Sequence, residues 1–108
     1  MKRRSRRLRK KLHLAEFQEL GCRLEVAFHN VLPEEAADRL IDTFIDQVLE
    51  PRRLVIGGWL TSAFVVVDGR GSVTESDRAI IQLWLTSRPE VVTVHVGPLV
   101  DAYYWVGD

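Results

Sequence analysis

The chain has 108 residues, enough for one hydrophobic core and not two. Hydrophobic residues make up 46% and charged residues 28%, which excludes a wholly disordered chain. No apolar run approaches ~18 residues, which excludes a membrane-spanning helix, and the single cysteine, Cys22, excludes an internal disulfide and a Cys-based zinc site. The basic start lacks the apolar stretch and small-residue cleavage site of a secretory leader, so export is not expected.

Residues 1–11 hold Lys2, Arg3, Arg4, Arg6, Arg7, Arg9, Lys10 and Lys11 and no acid, a charge of +8. Residues 12–108 hold the other seven basic residues and all fifteen acidic ones, a charge of −8. The formal net charge of zero therefore averages a cationic arm and an anionic body. The arm has too little apolar surface to fold alone, so it is expected to be disordered when free, ahead of a single α+β domain over residues 12–108.

After the arm, Leu14, Phe17 and Leu20 fall on one face of a short helix, with Gly21 as its C-terminal stop. Residues 22–29 alternate, Leu24, Val26 and Phe28 against Arg23, Glu25 and His29, which predicts a half-buried strand. Pro33 stands in the first turn of a long helix whose apolar face is Ala37, Leu40, Ile41, Phe44, Ile45, Val48 and Leu49, and Pro51 closes it. Residues 54–56 and 59–67 read as two strands joined through a Gly57-Gly58 turn. Residues 68–71 form a loop, and Thr74 with Asp77 matches a capping box at the start of a second helix, with residues 79–85 supplying its apolar side. Val92, Val94 and Val96 alternate with polar residues in a last major strand, Pro98 interrupts the ladder, and residues 99–106 form a short edge strand or a packed tail. The order after the first helix is β-α-β-β-α-β. It predicts a ferredoxin-like domain, a four-stranded antiparallel sheet with both helices on one face.

Clustered Arg and Lys suit polyphosphate, not a protein interior. If all eight arm cations displaced counterions, the salt slope would be about −7 on a duplex and about −6 on a single strand, so fourfold more salt weakens binding by roughly three to four decades. Five of the eight are arginine, which adds bidentate phosphate contact and stacking on exposed bases. No aromatics interleave with these charges, so base-by-base readout is not indicated. The same composition also fits a solubilising tail or a targeting signal.

Other chemistry is poorly supported. Cys22, His13, His29 and His95 lack ligand spacing, and Cys22 and His29, seven apart on one strand, point to opposite faces. Gly69-x-Gly71 lacks the remaining glycines and the Lys-Ser/Thr of a phosphate loop. Ser62, Ser72, Ser76 and Ser87 have no local His and acid pattern, and only loop proximity recommends Asp68 and Asp101 as an acid–base pair. Trp84 reads as core, while Trp59, Tyr103, Tyr104 and Trp105 are candidate stacking platforms without a basic surround. No catalytic residue, metal or other cofactor, small-molecule substrate or membrane partner is expected.

Arg4-Ser5-Arg6-Arg7-Leu8-Arg9-Lys10-Lys11, then His13, then Glu16-Phe17-Gln18-Glu19-Leu20-Gly21, resembles the start of the bacterial YggL family of 50S ribosome-binding proteins. The rest of the chain shares element order, length, an acidic body and the aromatic end at Tyr103, Tyr104 and Trp105, although the hairpin at Gly57-Gly58 is shorter than the family suggests. The resemblance implies a cytoplasmic bacterial protein that associates with the large ribosomal subunit during assembly without catalysis. The arm would then contact rRNA.

Glu34, Asp38, Asp42, Asp46 and Glu50 recur every four residues along the first long helix and form a slanting acidic stripe. It reads either as an ordinary solvated face or as a contact for basic ribosomal protein. Three further readings stay open. The chain could be a protein–protein adaptor working through this stripe, with the arm only solubilising. It could be a hydrolase, which would need a pocket with perturbed carboxylates. Or, at low salt, the arm could fold back on its own acidic body.

Overall fold

The structure, a computed structural model, describes residues 19–102. The first expected helix lies largely outside them, and its last turn is not helical: Leu20 and Gly21 open strand β1, Leu20–Phe28. Gly21 is therefore a strand residue and not a helix stop. A β-carbon there would stand 2.6 Å from the Val65 carbonyl oxygen, so glycine lets β1 lie close against its neighbour. Beyond it the expected alternation holds, with Cys22, Leu24 and Val26 buried and Arg23, Glu25 and Ala27 exposed.

Pro33 caps helix α1, Glu34–Phe44, from just outside, where its carbonyl accepts the Ala37 N–H. Leu40, Ile41 and Phe44 are buried in α1, and the run continues as a π turn, Ile45–Leu49, burying Ile45, Val48 and Leu49. Pro51 explains the change of pitch: it donates no N–H, and its ring crowds the carbonyl four residues back. A 3-10 turn, Glu50–Arg52, follows, and Arg53 ends it in the left-handed region at φ 61°. The predicted single helix is thus three consecutive helical forms.

Strands β2, Leu54–Trp59, and β3, Ser62–Val67, form an antiparallel hairpin. Its turn is Leu60-Thr61 and not Gly57-Gly58, because Gly57 pairs with Phe64, Gly58 with Ala63 and Trp59 with Ser62. Gly58 is needed inside the strand, where φ is +86° and a β-carbon would lie 2.7 Å from the Ser62 carbonyl oxygen. The turn itself is anchored by Leu60, which is fully buried and accepts the Val26 N–H at 2.9 Å.

Helix α2, Glu75–Thr86, starts with the expected capping box: Asp77 N–H donates to Thr74 Oγ1 and Thr74 N–H to Asp77 Oδ2, both at 3.0 Å. Asp77 is buried and also accepts from Arg52 Nη1 at 2.8 Å, which ties the end of the first helical run to the start of α2. Strand β4, Val91–Val96, pairs with β1, and Val92 is an extra residue in its register. After Pro98 the chain forms β5, Val100–Asp101, which pairs with Leu20 and Gly21.

The sheet is antiparallel with order β2-β3-β1-β4, and β5 makes it five-stranded where four strands were expected. The reason is length. Strand β1 has nine residues against six in β4, so its first two residues present backbone groups that β5 satisfies. Buried residues of α1, the π turn and α2 share one core with Cys22, Leu24, Val26, Ile56 and Val65, and Val55, Phe64, Val66 and Ala102 form a second, smaller cluster.

Candidate functional site

Lys2, Arg3, Arg4, Arg6, Arg7, Arg9, Lys10 and Lys11 lie outside the described residues, as do Tyr103, Tyr104 and Trp105. The described surface begins with the acidic stripe. Glu34, Asp38 and Asp42 on α1, Asp46 in the π turn and Glu50 in the 3-10 turn are all exposed, so the four-residue spacing does yield a solvated acidic row. Glu34, Glu35, Asp38 and Asp42 have no ion-pair partner among the described residues.

Helix electrostatics explain only part of this row. Glu34 and Glu35 complement the positive end of the helix dipole. Asp42, Asp46 and Glu50 run toward its negative end, where α1 has no basic residue in its last turn. Each such placement opposes the dipole by a few tenths of a kcal/mol to about 1 kcal/mol, and the like charges at four-residue spacing repel one another by a few tenths more. The dipole therefore does not account for Asp42, which is exposed near the end of α1.

Three of the body's seven arginines are engaged elsewhere. Arg52 holds Asp77 at 2.8 Å, and Arg78 pairs with Glu75 and donates to the carbonyls of Gly97 and Val96 at 2.7 and 2.9 Å. Arg88 lies 4.8 Å from the centroid of the Trp84 ring, 3.9 Å from Glu90. Trp84 is half-buried against Phe44 and donates its indole N–H to Gln47, so it is packing and not a free stacking platform.

A groove opens at one end of the sheet, between the β1–α1 loop and the β2–β3 turn. Its volume is about 440 Å³, and it is lined by Phe28, His29, Asn30, Val31, Leu32, Ala37, Trp59 and Thr61. The Phe28 and Trp59 rings stack with centroids 6.1 Å apart and planes 14° from parallel, making a flat apolar floor. Val31 stands on the rim 96% exposed. One sequence signal marked this place, Trp59 beside Gly57-Gly58. It could not show that the Phe28 end of β1 comes to the same spot.

Among the described residues no group of three or more His, Cys, Asp and Glu is placed to hold a metal. Cys22 is buried in the core, and burial pushes its thiol up to about 11. No helix of the described residues is long and apolar enough to cross a membrane.

Comparison with known proteins agrees with the likeness in the leading residues and extends it through the body. The chain is 33% identical over 105 residues to an uncharacterised protein of Haemophilus influenzae, covering 93% of this chain and 90% of that one. No solved structure matches it. The profile of the YggL 50S ribosome-binding proteins matches residues 6–104. With that profile covering nearly its whole length, the chain belongs to the YggL 50S ribosome-binding protein family.

Proposed function

We propose that this protein associates with the large ribosomal subunit in the bacterial cytoplasm, acts in its assembly, and does so by binding and not by catalysis. Lys2, Arg3, Arg4, Arg6, Arg7, Arg9, Lys10 and Lys11 contact rRNA phosphate. The observation that carries the reading is charge segregation, +8 in residues 1–11 against −8 in the remainder, in a chain whose family is described as 50S ribosome-binding. A polyanion attracts the first part and repels the second, so the molecule docks with a set polarity. The body is read as a ferredoxin-like domain with β5 added, a reading supported by the antiparallel order β2-β3-β1-β4.

The acidic stripe favours a second contact. Glu34, Asp38 and Asp42 stand exposed without ion-pair partners among the described residues, and basic ribosomal protein is the matching chemistry. Sucrose-gradient co-sedimentation of the full chain and of a version lacking residues 1–11 tests the assignment. Loss of large-subunit association on removing the arm is expected. Persistent association would give the binding to the acidic face, and the chain would be an adaptor with a solubilising tail.

A further inference from the structure

The groove beside the first turn of α1 has no assigned role, and its surroundings select an occupant. At about 440 Å³ it falls in the range of ligand pockets, roughly 300–1,000 Å³. Its floor is the Phe28–Trp59 stack, and its rim carries Val31, an aliphatic side chain 96% exposed. A large apolar side chain left in water beside a concave aromatic floor is the arrangement of an anchor pocket.

Charge decides between the chemistries that fit such a floor. A nucleobase arrives attached to phosphate, and no Lys or Arg lines the groove. Glu34 and Glu35 instead stand in the helix turn between two of its lining residues, Leu32 and Ala37, exposed and without ion-pair partners among the described residues. Asp38 follows on the next turn, also exposed. That border repels phosphate and attracts lysine and arginine.

We infer that this groove receives an apolar side chain projecting from a Lys- and Arg-rich protein segment, with Glu34 and Glu35 holding the cations on either side of it. The inference rests on the large-subunit reading and deepens it: the body's partner is a basic ribosomal protein and not rRNA.

The test is binding of the full chain to purified large subunits by co-sedimentation. Wild type comes first, and its failure to pellet would sink the large-subunit reading and this one with it. Given wild-type binding, Val31→Asn, at a position too exposed to matter for folding, weakens it at least threefold. The double variant Glu34→Lys and Glu35→Lys weakens it at least tenfold. Unchanged binding in either variant overturns the groove assignment and leaves subunit association standing. Tighter binding of the double variant also overturns it, by identifying the occupant as nucleic acid.

Discussion

At Gly21 a β-carbon would lie 2.6 Å from the Val65 carbonyl oxygen, 2.6 Å from the Phe64 ring and 2.9 Å from Val66 Cγ1. The first is backbone in a central strand pairing, and the ring it would also strike is buried. Gly21→Ala therefore costs about 1–3 kcal/mol by overpacking, read as a lower urea midpoint at unchanged slope. The sequence could not distinguish this role from a helix stop, since both put glycine after spaced apolar residues. Cys22, its neighbour, ties stability to pH. Burial raises its thiol to about 11, with Arg78 opposing and Asp77 and Glu75 reinforcing the rise. In the unfolded chain the thiol ionises at its ordinary value of 9.0. Below that pH both states hold the proton and the contribution is fully present. Above it the unfolded state binds fewer protons, so stability falls as pH rises from about 9 toward 11. Urea midpoints of wild type should drop between pH 8 and 10.5, and Cys22→Ala, though less stable, should show a shallower drop.

At the scale of elements, α2 is set by a shared carboxylate. Asp77 accepts from the Thr74 backbone and from Arg52, while Thr74 Oγ1 accepts from Asp77. Thr74→Ala should cost about 1 kcal/mol, the usual loss of a cap. Asp77→Ala should cost about 2–3 kcal/mol, because it also leaves a half-buried guanidinium without its partner. The double variant should cost less than the sum, since the two residues act as one unit; additive losses in thermal unfolding would show that they do not. This box was legible from Thr74 and Asp77 alone, because capping is local chemistry. The β1 alternation and the α1 apolar face were legible for the same reason. The hairpin turn was not, because Leu60 is an apolar turn residue held by the core and by the Val26 N–H, contacts made far along the chain. The fifth strand was legible only as one of two readings of residues 99–106, because its pairing depends on the relative lengths of β1 and β4.

For the molecule as a whole, segregated charge was plain in the sequence, whereas the groove was not, since its walls come from three separate stretches of chain. If the arm rests on the acidic body at low salt, some of its cations are neutralised by carboxylates and release fewer counterions on binding. A peptide of residues 1–21 should then bind rRNA with a steeper salt dependence than the intact protein, and equal slopes would remove self-masking.

The sheet's outer side has a consequence for how the folded protein behaves when crowded. Residues 91–96, Val-Val-Thr-Val-His-Val, are the kind of stretch that recruits identical chains into ribbons. In the fold that stretch is irregular: Val92 interrupts its register, and Arg78 occupies the carbonyls of Val96 and Gly97 just where the strand gives way to Pro98. An approaching strand meets a broken template, so the native protein resists stacking into fibres, and that protection lapses once α2 detaches and takes Arg78 with it.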